Sequence, residues 1–332
     1  MSRITPQPWR LWADRGLMSM TVQANDENTL KPKGRLRLGV DLGGTKVEVA
    51  VLDEADEFLF RERLPTPQGD YSGTIETIAK LIKQAEDRLG RVDSIGVGTP
   101  GTTSPGTGRM KNANSVVLND KPLKYDLETR LNRSISMAND ANCLALSEAH
   151  GGAADGIDSV FGVILGTGVG GALVFNGQLI MGQNAIAGEW GHNPLPWTHE
   201  GEYPGPVCWC GHQGCIEQWL SGPAFMRDYQ NASGRSLTGA EIIAAVEQGD
   251  PEAKAALNRY TDRLARALAH VINIFDPEVI VLGGGMSNVA ALYDKVPALW
   301  DEFVFSDPIS TRLVAPKFGD SSGVRGAAML SS

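Results

Sequence analysis

Four side chains near the middle of this chain have the types and spacing of a metal site: His192, Cys208, Cys210 and Cys215. They lie in Gly188-Glu-Trp-Gly-His192 and in Cys208-Trp-Cys-Gly-His-Gln-Gly-Cys-Ile-Glu217. The chain has four cysteines in 332 residues, and three of them fall between 208 and 215. Three thiolates and one imidazole supply the soft S and N donors of a closed tetrahedral zinc site. A disulfide or chance clustering is the competing reading. Cys208 and Cys210 are too close in sequence to pair comfortably, and a third thiol would be left over. The N-terminus lacks the apolar core of a secretory signal, so reduced thiols are expected and zinc is the better reading. Cys143, in an Ala/Leu run, reads as a buried helix residue.

A second group of residues is suited to phosphate and hydroxyl chemistry. Asp140 follows Asn139 where a strand should give way to a helix. A carboxylate there can take the proton of a hydroxyl attacking phosphorus, if backbone amides and Mg²⁺ hold the phosphates. Taken alone, a helix-cap role accounts for Asp140 better. Asn112, Asn114, Glu189 and Glu217 are polar groups able to hold sugar hydroxyls, and each reads equally well as an exposed loop residue. Glu189 and Glu217 bracket the metal motif, so a bound metal would carry both towards one place.

Three glycine turns follow apolar runs: Asp41-Leu-Gly43-Gly44-Thr45-Lys46, Gly166-Thr167-Gly168 and Gly283-Gly284-Gly285. Such turns present backbone N–H groups to anions without side-chain obstruction. Gly166-x-Gly168-x-x-Gly171 has the letters of a dinucleotide fingerprint. Ala172 to Phe175 continues as a strand, however, where that fingerprint needs a helix. No Walker motif is present, nor the His-Arg-Asp and Asp-Phe-Gly of protein kinases.

The elements that must position these residues are legible in outline. Leu38 to Asp53 gives two β-rich arms around a Gly-Gly turn, hence a hairpin. Phe161 to Asn176 aligns with it without a gap, matching Gly39/Gly162, Val40/Val163, Leu42/Leu165, Gly43/Gly166 and Val51/Val174. This predicts a duplicated lobe, with chance likeness between two Gly/Val-rich segments as the alternative. Apolar spacing predicts helices over 74–89, 139–150, 238–246 and 252–275, and strands over 92–97 and 279–282. The alternation gives an α/β class with mixed β-sheets flanked by helices. Residues 1–34 have no clean period and are expected to form a mobile N-terminal extension. A small lobe is expected over 35–137 plus about 318–332, and a large lobe with the zinc-binding loop over 138–317.

Hydrophobic content of 42% and charged content of 21% are those of a globular chain. A net charge of -9 argues against a nucleic-acid partner, which calls for a basic patch. No apolar run approaches membrane-spanning length, so a cytoplasmic protein without a membrane partner is expected.

Taken in order, Asp-Leu-Gly-Gly-Thr-Lys, Gly-Thr-Pro-Gly, Asn-Asp-Ala-Asn, Leu-Gly-Thr-Gly-Val-Gly-Gly, Gly-Glu-Trp-Gly-His and Cys-x-Cys-Gly-x-x-Gly-Cys-x-Glu form a set. Over about residues 36–330 the chain resembles the ROK family of sugar kinases and repressors. Within it the chain is most similar to the bacterial fructokinases, through 111–115, 188–197 and 319–328. The resemblance implies a two-lobed actin-like fold, usually a homodimer, closing over ATP, Mg²⁺ and a hexose, with Zn²⁺ in the Cys/His site. It implies phosphorylation of a sugar 6-hydroxyl, D-fructose foremost, with glucose, mannose or N-acetylglucosamine as alternatives. By the same resemblance Asp140 is the general base, and Asn114, Asn139, Glu189, His192 and Glu217 contact the sugar. His192 would serve zinc and sugar through its two ring nitrogens. Asp41 would lie near the magnesium-bound water. Gly43, Gly44, Thr45 and Lys46, with Gly166, Thr167 and Gly168, would cradle phosphates, and Gly283, Gly284, Gly285 and Met286 would lie on the adenosine side. The family's repressors carry an N-terminal winged helix-turn-helix, for which residues 1–34 are too short and irregular. A sugar sensor without catalysis is the third class, and the intact Asp140 and glycine turns argue against it.

Overall fold

The structure, a computed structural model, describes residues 34–113 and 115–330. The expected extension over 1–34 lies outside the described residues except for Gly34, and Asn114 lies outside them too.

The chain opens with the expected hairpin. Strands β1 (Arg37–Leu42) and β2 (Lys46–Leu52) pair antiparallel, with Val40 opposite Val49 and Leu42 opposite Val47. Strand β3 (Phe58–Pro65) adds antiparallel to β2. Helix α1 (Tyr71–Leu89) starts where the Asp70 carboxylate accepts the Gly73 N–H, and it ends at Gly90, whose φ of 88° no longer continues a helix. Its buried face is Ile78, Leu81, Ile82 and Ala85, the spacing read from the sequence. Strand β4 (Ser94–Thr99), the short pair β5 (Thr102–Thr103) and β6 (Met110–Lys111), helix α2 (Leu123–Leu131) and strand β7 (Ser136–Asn139) follow. The first sheet has the order β3-β2-β1-β4-β7, with β4 and β7 parallel to β1. Helix α3 (Asp140–Ala149) leaves β7 directly, its first turn capped by the Asn139 side chain accepting the Asn142 N–H.

A second sheet repeats this plan. Strands β8 (Ser159–Leu165), β9 (Val169–Phe175) and β10 (Gln178–Ile180) form an antiparallel meander. After the cysteine segment come helices α4 (Glu217–Leu220), α5 (Gly222–Ser233), α6 (Gly239–Glu247) and α7 (Pro251–Phe275). Strand β11 (Val279–Gly283), helix α8 (Ala291–Lys295), strand β12 (Arg312–Val314) and helix α9 (Ser322–Met329) close the chain. The order β10-β9-β8-β11-β12 has the same strand senses as the first sheet. The mixed sheets flanked by helices expected from the sequence are present.

The ungapped hairpin alignment holds along the incoming strands and slips by one residue along the outgoing ones. Leu42 pairs with Val47, whereas its counterpart Leu165 pairs with Val169. Val51 therefore faces Leu38, while Val174 faces Val160 rather than Phe161. The reason is the turn, which is one residue tighter between paired ends in the second copy. Residue likeness alone could not report that.

Each sheet has its own apolar core. Leu38, Val40, Ile78, Leu81 and Val97 belong to the first, and Phe161, Val163, Leu220, Tyr260, Leu268 and Trp300 to the second. Helix α3 lies between the sheets and is buried from Ala141 to Ala149, which includes Cys143 as expected. It packs against β8 and β9 and against α9, and α9 packs in turn on β1 and β4. The helices touch backbone to backbone at Gly326, where an added Cβ would fall 1.7 Å from the Cys143 carbonyl oxygen. Among the described residues no helix is long and apolar enough to cross a membrane.

Candidate active site between the two sheets

Asp140 is the first residue of α3, at the end of the β7 strand that borders the first sheet. Its Oδ1 accepts the Ala141 N–H at 2.8 Å. Two cavities meet at this side chain. The larger, about 820 Å³, also reaches Asp41, Gly43, Gly44, Gly283 and Gly284. The smaller, about 410 Å³, also reaches Asn139, Thr167, Gly168, Glu189, His192 and Glu217. Both sizes are those of small-molecule sites. Asp140 opens to solvent in the cleft, yet the surrounding protein pushes its carboxyl up to about 6. Burial is the main cause; the Ala141 N–H opposes it, and the charge of Glu189 adds to it. Asp41 is likewise pushed up to about 6, by burial first and then by Asp140 and Glu48, with Lys46 and Arg63 opposing.

The two hairpin turns expose amide donors towards the cleft. Gly43 N–H closes the first turn on the Lys46 carbonyl at 2.9 Å, and Gly166 N–H closes the second on the Gly168 carbonyl at 3.0 Å. The N–H groups of Gly44, Thr45, Thr167 and Gly168 donate to no group among the described residues. Four amides thus remain for an anion. A third cavity of about 570 Å³ runs past Gly44, Thr45 and Thr167 and shows that the two turns face one space.

The smaller cavity is built by the segment around the cysteines. Trp190 buries its indole, stacking edge-on to Phe161 at 5.7 Å and donating Nε1–H to the Gly170 carbonyl at 2.9 Å. That anchor holds the neighbouring Glu189 at the cavity wall, where burial raises its carboxyl above the usual range against the pull of His192 and Lys111. Ligand atoms of His192, Cys208, Cys210 and Cys215 lie within 4.8 Å of one another. Cys208 Sγ is 3.6 Å from His192 Nδ1, and Cys210 Sγ is 3.6 Å from Cys215 Sγ. A tetrahedron with metal–sulfur bonds of about 2.3 Å has edges of roughly 3.8 Å, so these donors fit Zn²⁺. The side turned to the metal position is Nδ1, while the ring itself lines the smaller cavity. Glu217, two residues past Cys215, accepts Trp209 Nε1–H with Oε1 at 2.7 Å and Val169 N–H with Oε2 at 3.0 Å. A side chain at Gly168 would place its Cβ 2.7 Å from that Oε2, which explains the glycine there.

Several sequence expectations land elsewhere. Lys46 reaches towards Glu48, 3.8 Å away, and lines none of the three cavities. Met286 is buried in the core of the second sheet, while Gly283 and Gly284 border the larger cavity with Ser287 and Asn288. Gly166 lies behind its turn, its carbonyl accepting the Gly222 N–H at 2.7 Å. Sequence reading missed Arg61 and Arg63, which line the larger cavity from β3 and grip the fully buried Glu48. The signal was the Arg61-Glu-Arg63 alternation on a strand, which puts both cations on one face. Arg227 and Trp209 on the smaller cavity were also missed.

Two sheets of identical strand order, with glycine turns and a carboxylate facing the space between them, define a two-lobed actin-like architecture. The ROK family model matches residues 37–332, and the chain belongs to the ROK family. It is 41% identical over 296 residues to the N-acetyl-D-glucosamine kinase of Salmonella gallinarum, covering 88% of this chain and 98% of that protein. Among solved structures it is similar to the ROK hexokinase of Thermus thermophilus, with a TM-score of 0.79 at 31% identity, covering 89% of this chain and 97% of the other. A ROK glucokinase from Streptomyces griseus in complex with glucose and AMPPNP matches with a TM-score of 0.75 at 29% identity, covering 89% and 98%.

Proposed function

We propose that this protein is an ATP-dependent kinase that phosphorylates the 6-hydroxyl of a hexose. The observation that carries this is the place of Asp140 on the wall common to both cavities. One cavity presents glycine turns with donor amides, and the other presents Glu189, His192, Asn139 and Glu217, groups that hold hydroxyls. A phosphoryl donor in the first and a sugar in the second would meet at this carboxylate.

The chemistry follows from the residues. Asp140 accepts the proton of the attacking hydroxyl, and a carboxyl near 6 is ionised at neutral pH while still basic enough to take it. The amides of Gly44, Thr45, Thr167 and Gly168 hold the phosphates and stabilise the charge on the transferring group. Asp41, crowded by Asp140 on the same cavity, suits the Mg²⁺ carried by the nucleotide, which would neutralise phosphate charge when bound. His192, Cys208, Cys210 and Cys215 would hold Zn²⁺, whose role is to fix Glu189 and Glu217 at the sugar side. Residues 35–137 with 318–330 form the lobe carrying the first turn, and 138–317 the lobe carrying the sugar side.

The acceptor we favour is N-acetyl-D-glucosamine, because the 41% identical relatives bear that activity in their names over nearly their whole length. D-Fructose is the second reading, supported by the 111–115 and 188–197 stretches. A coupled ADP-release assay with ATP and Mg²⁺ over N-acetylglucosamine, fructose, mannose and glucose decides. We expect the highest kcat/KM with N-acetylglucosamine; a higher value with fructose selects the second reading, and no turnover on any of the four overturns the kinase.

A further inference from the structure

The first glycine turn has no side chains at Gly43 and Gly44 to hold its peptide planes. All three of its carbonyls are nevertheless tied. The Gly43 carbonyl accepts Thr66 Oγ1–H at 2.8 Å, and the Gly44 carbonyl accepts Gln68 Nε2–H at 2.6 Å. The Thr45 carbonyl accepts the Thr66 N–H at 3.0 Å. A peptide unit is planar and trans, so fixing the carbonyl of one residue fixes the direction of the next residue's N–H. The Thr66 hydroxyl therefore sets the Gly44 N–H, and the Gln68 amide sets the Thr45 N–H. These are the two amides of the turn that donate to no group among the described residues. Thr66 and Gln68 also line the 570 Å³ cavity with Gly44, Thr45 and Thr167. In the second turn the same task falls to backbone, since the Gly166 carbonyl accepts the Gly222 N–H at the start of α5 and thereby sets the Thr167 N–H.

We infer that Thr66 and Gln68 are positioning residues for the phosphoryl donor, aiming the Gly44 and Thr45 amides at its phosphates. The inference rests on the kinase reading for the identity of the ligand. Neither side chain needs to touch that ligand; each acts through a peptide plane, so an error in aim weakens donor binding and leaves the acceptor side alone.

The test is Thr66→Val, which keeps the shape and removes the hydroxyl, beside Thr66→Ser, which restores it, and Gln68→Ala. Calorimetry with Mg·ADP reads the donor side without sugar turnover. Losing one such bond should raise Kd for Mg·ADP and KM for ATP about fivefold in Thr66→Val and in Gln68→Ala. Thr66→Ser should stay near wild type, and KM for the sugar should hold within about twofold, well under the fivefold effect of a lost bond. Gln68 is exposed, so its variant carries the test if Thr66→Val does not fold. Unchanged Kd in both variants, equal loss in Thr66→Val and Thr66→Ser, or an equal rise in sugar KM overturns the inference. Wild-type protein that binds Mg·ADP but phosphorylates no sugar would overturn the kinase reading instead, and the Kd comparison would still decide the role of Thr66 and Gln68.

Discussion

Glu217 Oε2 accepts the Val169 N–H at 3.0 Å, joining the residue just past the second glycine turn to the helix just past Cys215. The other carboxylate oxygen takes Trp209 Nε1–H, and Trp209 lies between Cys208 and Cys210 with its ring edge-on to His192 at 4.9 Å. Glu217 is therefore a strut between the cysteine cluster and the turn as well as part of the smaller cavity. Effects on the cysteine cluster and on the glycine turn are not separable through it.

Cys210→Ser should lower bound zinc to well under one per chain by elemental analysis. Because Glu217 spans both regions, sugar affinity and nucleotide affinity should both weaken, sugar more, since His192 and Glu189 flank the same cluster. Losing even an outer-shell support of a metal site costs about 10–100-fold in metal affinity or activity, so losing a ligand should cost no less. A metal-free protein with full activity would remove zinc from the account.

Asp140→Asn keeps an oxygen for the Ala141 N–H and leaves the Asn139 cap of α3 untouched. Removing a general base lowers kcat by about 10²–10⁴. Sugar and nucleotide affinities measured by calorimetry should stay near wild type. Turnover close to wild type would leave Asp140 with no role beyond its bond to the Ala141 N–H.

The raised carboxyl of Asp140 sets two pH dependences of known sign. Activity needs the ionised form, so kcat/KM should fall as pH drops through about 6. Stability runs the other way. Between the usual value of 3.8 and about 6 the folded state binds more protons than the unfolded one, so ionising Asp140 weakens the fold as pH rises through that window. Asp140→Asn should therefore melt at or above wild type at pH 7, with the difference shrinking towards pH 4. Screening in the open cleft keeps this gain small.

Arg266 is fully buried on α7 and donates Nη1–H to the carbonyls of Pro196 and Trp197, both at 2.9 Å, and Nη2–H to Glu202 and Asp262, both at 2.8 Å. Burial disfavours the Glu202 charge, yet its carboxyl sits below the usual range because Arg263, the His199 N–H and Arg266 hold the ionised form. Arg266→Met leaves that carboxylate short of a partner. Arg263 and the His199 N–H remain on it, so the loss should fall below the roughly 3–5 kcal/mol of a fully broken buried pair, to be read by denaturant unfolding.

Local signals carried much of the fold. The apolar face of α1 and the span of α7 as far as Phe275 are written in neighbouring residues. What stayed hidden depends on pairing. Arg63 reaches Glu48 because β2 and β3 place them opposite each other, and no window of sequence contains that register. Lys46 and Met286 were read from the motifs that contain them, but strand alternation sends Lys46 towards Glu48, and a 3-10 turn over Gly285–Asn288 sends Met286 into the core. Thr66 and Gln68 matter through the carbonyls of residues more than twenty positions away, which only the closed hairpin brings near.

Between Gly326 and the Cys143 carbonyl there is not room for a methyl group. Packed interiors resist compression, so α3 and α9 have no closer approach available to them. One helix belongs to the second sheet through β8 and β9, and the other to the first through β1 and β4. Their crossing is thus an axle. A closing of the cleft that kept this contact would turn about it, read as a change in the angle between α3 and α9 at constant separation. A small turn at that axle becomes its largest displacement at the rims farthest from it.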